Sequence, residues 1–215
     1  MAPVQPPVKR RYDTSRRRQA AENTRKAILD AALELFADRG YAATPMTAIA
    51  EQAGVALDTV YASVGRKPAL ARLLVETAIS GTSQAVPAEE RDYVRAIQAA
   101  PDAKTKIVIY ASAMRMIAGR LAPVLGILQQ AASAKPELAT LWHEITERRA
   151  ANMRRFAAEL ATVATLRVDL DEAADIVWAT NAPELYQLLV SQRGWSPERY
   201  EHFLADAWRR LLLAD

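Results

Sequence analysis

The sequence predicts an all-α protein, and three observations carry that prediction. Only 7 of the 215 residues are glycine, and β-branched runs are rare in a chain rich in Ala and Leu, a balance that favours helix. Apolar residues recur at three- and four-residue intervals rather than in alternation. Proline, serine, threonine, aspartate and glycine punctuate those periodic stretches where helix starts and stops need them. No internal repeat and no strand emerges.

Taken in order, residues 1–15 contain Pro3, Pro6 and Pro7 with few apolar anchors and read as disordered. A first helix is expected over 18–39, with Ile28, Ala32, Leu35 and Phe36 on one face and Gly40 as a left-handed cap. Thr44-Pro45 opens a short helix over 45–53, the Thr as cap and the Pro in the first turn. Met46, Ile49, Ala50 and Ala53 point it inward, and Gly54 stops it. A third short helix covers 57–64 and ends at Gly65; a fourth covers 68–80. Residues 81–88 (GTSQAVPA) read as a junction. Beyond it, helices are expected from Pro101-Asp102 to about 119, from Pro136 to 162, from the capping-box spacing at Asp169–Glu172 to 192, and from Ser196-Pro197 to 213. Pro123 with Gly126 mark a break or kink, and Pro183 an interruption. This divides the chain into an arm (1–17), a compact head (18–67), a connecting helix (68–82) and a helical body (83–215).

Charge is unevenly placed. Through Ala21 six basic residues face one acid, a local +5, so the remainder of a chain whose total is +3 carries −2. A basic arm on a near-neutral body suits a polyanionic partner, and composition alone allows a solvated tail equally well. Cysteine is absent, which rules out a disulfide and fits a reducing cytoplasm. Charges interrupt the apolar stretches before the roughly 20 residues of a membrane span, so no membrane partner is expected. The N-terminus lacks the apolar segment of a secretory signal, and its prolines argue against a transit peptide. No catalytic motif appears, and the two histidines, His143 and His202, have no metal-spaced companions, so neither an enzyme nor a cofactor or metal is expected. A helical adaptor that binds an acidic protein is the remaining rival class.

Residues 44–70, TPMTAIAEQAGVALDTVYASVGRKPAL, carry most of the information. Two helices of about two turns flank a glycine bend, the helix-turn-helix arrangement. Small Ala50, Ala53 and Gly54 permit close approach, and Ile49, Val55, Val60 and Leu70 supply a shared core. A second helix so placed can enter a major groove while the first crosses phosphates.

At this point the chain resembles the TetR family of bacterial regulators. The shared pattern is Phe36-Ala37-Asp38-Arg39-Gly40-Tyr41, then Ile49-Ala50, Ala53-Gly54-Val55, Thr59, Tyr61, Lys67 and Leu70, all within about the first 75 residues. The resemblance implies a DNA-binding head and a C-terminal helical domain for effector binding and dimerisation. It implies contacts to a double-stranded operator from Thr59 and Tyr61, a phosphate pair from Lys67, and variable base contacts from Leu57, Asp58, Ala62 and Ser63. Thr44 and Thr47 would touch the backbone, and Arg16, Arg17 and Arg18 of the arm would lie along phosphates or enter a minor groove. Packing of Tyr61 on the first helix and solvation of Lys67 remain open alternatives, as does packing for Leu57 and Ala62. The chain departs from the family at Ala56, where a capping Ser is common, and at Val64, where an aromatic is usual.

Two operator half-sites require two heads, so a homodimer is expected. Its interface is read from Ile176, Leu185, Leu188 and Leu189, together with Phe203, Leu204, Ala207, Trp208 and Leu211; completion of the intramolecular core is the alternative. An unidentified small-molecule effector is implied. Its candidate liners are Tyr110, Met114, Ile117, Leu128, Trp142, Ile145, Met153, Trp178 and Asn181, which plain core packing would also explain. Glu184, in an otherwise apolar helix, could face the pocket, cap the broken turn or be exposed. The expected function is a cytoplasmic transcriptional regulator, a repressor by default, released from DNA by its effector.

Overall fold

The computed structural model describes residues 14–82, 84–133 and 135–214. The prolines of the arm and its first basic residues, Lys9, Arg10 and Arg11, lie outside the described residues. Helix α1 runs Thr14–Ala43, with Gly40 alone taking a non-helical conformation (φ 79, ψ 158). It begins four residues before the expected start, so Arg16 and Arg17 sit on helical backbone. Exposed four-residue pairs, Arg18–Glu22 at 3.2 Å and Lys26–Asp30 at 2.5 Å, support this outer stretch, which buries little of itself. Its inner face buries Ile28, Ala32, Leu35 and Phe36 as expected.

Helix α2 (Met46–Ala53) ends in a Schellman motif. Gly54 is left-handed, its N–H donates to Glu51, and the Val55 N–H reaches back to Ala50 at 3.0 Å. Helix α3 (Leu57–Val64) has Ala56 at its cap position with no side-chain hydrogen bond, the consequence of the missing Ser, and Asp58 in its first turn. Val60 and Val64 anchor it inward. Helix α4 (Lys67–Ser80) buries Leu70, Ala71, Leu74, Val75 and Ala78. A 3-10 turn (Ala88–Glu90) leads into α5 (Asp92–Ala99), a short helix not singled out from the sequence.

The body is organised around α6 (Ala103–Ala132), which packs on α1, α4, α5, α7, α9 and α10. Asp102 caps it by accepting from the Thr105 N–H at 2.9 Å. The helix continues through Pro123 and Gly126, where the sequence predicts a break or kink; no break occurs. Burial of Leu121, Ala122, Val124, Leu125 and Leu128 on this crowded helix outweighs the lost hydrogen bond. Among the described residues α6 is also the one helix apolar and long enough to cross a membrane, against the sequence expectation, yet 56% of its most apolar window is buried against the other helices.

Two cations on α6 cap neighbouring helices. Lys106, almost wholly buried, donates to the Ile97 carbonyl at 2.5 Å near the end of α5 and meets Glu159 at 3.3 Å. Arg120 donates to the Ala78 carbonyl at 2.8 Å near the end of α4. Both donate to carbonyls in the last turn of a helix, where cations are favoured; the Ile97 carbonyl also accepts from the Ala100 N–H at 3.3 Å.

Helices α7 (Pro136–Ala161) and α8 (Leu170–Thr180) pack on each other, α8 capped by Asp169. After the break at Ala182, α9 (Pro183–Tyr186) continues as a π-helical stretch, Gln187–Gln192. Gly119 of α6 makes this approach possible, since a Cβ there would stand 3.2 Å from the Tyr186 hydroxyl. Helix α10 (Pro197–Leu212), capped by Ser196, completes the body. Trp208 is buried among Tyr110 and Phe156, with ring centroids 5.3 and 5.8 Å away, and donates its indole N–H to Thr180 at 2.7 Å.

Candidate nucleic-acid interface and ligand cavity

Three glycine-punctuated turns place α3 on the outside of the head, held to α1 and α2 by Val60 and Val64. Thr47 on α2 and Asp58, Thr59, Tyr61 and Ala62 on α3 are exposed, while Leu57 and Ser63 are half-buried. Leu57 packs against the core. Tyr61 is 44% exposed, so it does not bury its ring against α1. It lines an open depression of about 590 Å³ with Met46, Gly65, Arg66, Lys67 and Pro68. Arg66, exposed beside Tyr61, carries no signal of its own in the sequence, since the family pattern singles out Lys67 one residue later.

Two of the anticipated contacts are corrected by the geometry. Thr44 is fully buried, and its hydroxyl is shared between the carbonyls of Gly40 (2.9 Å) and Leu35 (3.2 Å) on α1. It neither caps α2 nor faces a phosphate. The Lys67 ammonium folds inward: it donates to the Tyr41 carbonyl and lies 4.4 Å from the centroid of the Tyr41 ring. Burial, reinforced by Lys135, lowers its pKa. Lys67 therefore ties α4 to the end of α1 before it can serve a phosphate. Arg16, Arg17 and Arg18 are exposed on the first turns of α1.

The body holds a second region of interest. A cavity of about 60 Å³ lies between α6, α7 and α8, lined by Tyr110, Met114, Ile117, Ile145, Met153 and Asn181 from the anticipated set. Trp142, Trp178 and Leu128 do not line it. Leu128 is core, and Trp178 lies beneath the Arg149 guanidinium at 5.2 Å. The cavity also takes Ile79 of α4, Arg91, Tyr93, Arg148, Arg149 and Asn152. The signal for Arg149 was present: it falls on the Ile145–Met153 stripe, four residues from each.

Polar groups in this cavity are mostly donors. Arg149 gives one guanidinium nitrogen to the Trp178 carbonyl (3.1 Å) and to Asn181 Oδ1 (3.0 Å). Burial lowers its pKa, opposed by the more distant charge of Glu184, which is itself exposed. The Tyr110 hydroxyl is directed at Met153 Sδ at 3.1 Å, and Asn181 Nδ2 at the same sulfur at 3.0 Å. A larger cavity of about 260 Å³ adjoins it, sharing Tyr93, Tyr110 and Asn152 and walled by Val94, Ile97 and Phe156.

Of the anticipated dimer residues, Leu204 and Trp208 belong to the intramolecular core, both fully buried. Phe203 and Leu211 lie on the outer face of α10 at 36% and 45% exposure, with half-buried Ala207 between them, and Leu188 of the π-helical stretch is half exposed. Ile176, Leu185 and Leu189 are partly buried.

Residues 28–74 match the model of the family described as bacterial regulatory proteins, tetR family. No curated protein matches the chain. Among solved structures, NalD of Pseudomonas aeruginosa, the secondary repressor of the MexAB-OprM multidrug efflux pump, superposes with TM-score 0.68 at 21% identity, covering 92% of this chain and 99% of its own. The fatty acid degradation regulator FadR from Bacillus halodurans gives 0.67 at 19%, covering 86% and 94%. A transcriptional regulator from Rhodococcus gives 0.59 at 16%, covering 87% and 95%. At these identities the likeness is one of fold across nearly the whole chain.

Proposed function

We propose that this chain, a tetR-family regulator by its residues 28–74, binds an operator as a homodimer and represses transcription until a small molecule enters its body. The observation that carries the reading is the exposed row Thr59, Tyr61 and Ala62 on a helix whose opposite face, Val60 and Val64, is locked into the head. That face is free to meet base edges, and the open depression beside Tyr61 and Arg66 leaves room for a phosphate ridge. Arg16, Arg17 and Arg18 extend the basic surface along α1. The proposed division is a head over 18–67, a connecting helix over 68–82 and an effector and dimerisation body over 83–215, with the arm ahead of them. The work is binding rather than catalysis, carried out in the cytoplasm.

Release follows from geometry. Two heads must stand about one DNA turn apart to engage adjacent major grooves. A ligand that favours another spacing lowers operator affinity by its differential affinity for the two forms, and a coupling of about 1–3 kcal/mol weakens binding roughly 5–150-fold. Helix α4 is the natural transmitter. It begins at the head and ends on Arg120 of α6, and it is joined to α7 by Arg72–Glu144 (2.5 Å) and Arg148–Glu76 (2.6 Å). The outward stripe Phe203, Ala207 and Leu211 with Leu188 supplies the dimer face, a four-helix arrangement when paired with its symmetry mate.

The test is selection of bound fragments from a random duplex pool with the purified full chain. A palindrome with half-sites spaced by a helical turn is expected, with affinity falling steeply as salt rises. Tyr61→Ala should weaken binding about tenfold while the protein remains a dimer by sedimentation, whereas Phe203→Asp with Leu211→Asp should give monomers. Absence of any sequence preference at low salt overturns the reading.

A further inference from the structure

The cavity between α6, α7 and α8 has an unusual balance of donors and acceptors. Tyr110 Oη and Asn181 Nδ2 are buried donors directed at the Met153 and Met114 thioethers, and the Asn181 side chain also hydrogen-bonds the Tyr110 hydroxyl. Sulfur is a weak acceptor, so the Tyr110 hydroxyl proton, which has Met153 Sδ as its acceptor, is poorly satisfied. Arg149 stands beside them with neutral partners only; among the described residues no carboxylate lies within ion-pair distance of it. Arg148, on the same wall, is paired with Glu76 of α4. Three groups that offer protons thus line one space, Arg149 among them, and no carboxylate lines it among the described residues.

We propose that the effector is a small monocarboxylic acid with an apolar body, and that its carboxylate both occupies the Arg149 fork and competes with Glu76 for Arg148. This rests on the regulator reading above and names its ligand class. A carboxylate supplies two planar acceptor oxygens, the shape a guanidinium fork matches. Both oxygens face the Arg149 guanidinium, and one of them also reaches Tyr110 Oη and Asn181 Nδ2, giving them an oxygen acceptor in place of sulfur. The apolar body extends past Tyr93 into the adjoining 260 Å³ cavity, over Ile97 and Phe156. The 60 Å³ space at the head group suits a carboxylate and little more.

The regulatory consequence follows from the neighbouring pair. Arg148 and Arg149 are adjacent, and Glu76 and Ile79 both belong to α4, Ile79 lining the cavity itself. An anion drawing Arg148 toward the cavity weakens its 2.6 Å bond to Glu76 and frees the middle of α4. The head then moves relative to the body at the helix that joins them.

Binding of octanoate and 4-phenylbutanoate to the full chain, measured by calorimetry and thermal shift without DNA, tests this, with octan-1-ol and octylamine as controls. At least one acid should raise the melting temperature and bind tenfold or more tightly than either control. Arg149→Met should weaken that acid about 10–100-fold and Tyr110→Phe about 3–10-fold, while Glu76→Gln, which frees Arg148, should tighten it. Should Arg149→Met fold poorly, Arg149→Lys and Tyr110→Phe carry the comparison. No binding by either acid, equal binding by the alcohol, or full affinity in Tyr110→Phe and Arg149→Lys overturns the proposal. Because these readouts need no DNA, a chain that selects an operator yet ignores both acids refutes only the ligand class. One that binds an acid yet selects no duplex refutes the regulator reading instead.

Discussion

Thr44 follows the end of α1, and its hydroxyl donates to the carbonyl of Gly40, the non-helical residue of that helix, and to that of Leu35. Thr44→Val keeps the shape and removes the hydroxyl, leaving both carbonyls buried without it. A loss of about 1–3 kcal/mol is expected, read as a lower denaturant midpoint, whereas Thr44→Ser should recover most of it. The sequence marked Thr44 as informative but assigned it outward. A Thr-Pro pair ahead of a helix has the same letters whether the hydroxyl caps that helix or turns back onto the previous one. Lys67 is a similar case, because only the folded head brings the Tyr41 carbonyl within its reach. By contrast, the family resemblance points Thr59 and Tyr61 toward DNA, and the structure, with Val60 and Val64 four apart on the inward side of α3, leaves both exposed.

Glycine stops explain most of the element boundaries in the head. Gly54 and Gly81 both take left-handed conformations, φ 68 and φ 72, but their surroundings differ. A Cβ at Gly54 meets nothing within 4 Å, whereas one at Gly81 stands 3.1 Å from the Arg120 guanidinium that caps α4. Gly54→Ala should therefore cost about 1–2 kcal/mol, the conformational penalty alone, and Gly81→Ala more, since it also disturbs Arg120. Equal losses in paired unfolding curves would show that the Arg120 contact contributes nothing. Elements in the body were less legible. The sequence ends α6 near 119 rather than at Ala132 because local propensity disfavours proline within a helix, while six neighbouring helices hold this one continuous. Helix α5 escaped notice because eight residues give too little periodicity to stand out beside a junction.

The whole molecule responds to pH through its buried phenols. Burial raises the pKa of Tyr41 to about 12, with Glu137 adding to the effect, and moves Tyr110 and Tyr200 in the same direction. A folded-state value above the unfolded one contributes stability that is complete below the unfolded value near 10 and is lost as pH rises through the folded value. Lys67, Arg120 and Arg149, whose values burial lowers, act oppositely, but the two guanidiniums start from 12.5, above this window, and Lys67 is half exposed against three buried phenols. Stability should thus fall steeply from pH 10 to about 12, and Tyr41→Phe should soften the slope over that window. A flat profile there in urea titrations would contradict the placement of these rings.

At this same scale the boundary between sequence and structure is plain. Periodicity, caps and the Gly54 bend sufficed to determine an all-helical chain with a helix-turn-helix head, because those signals act between residues three or four apart. Only the tertiary structure decided that Leu204 and Trp208 serve the core while Phe203 and Leu211 face outward, and that Arg149 joins Tyr110 and Asn181 at one cavity. Such choices depend on which helices meet, and contacts between side chains tens of residues apart leave no period in the sequence to read.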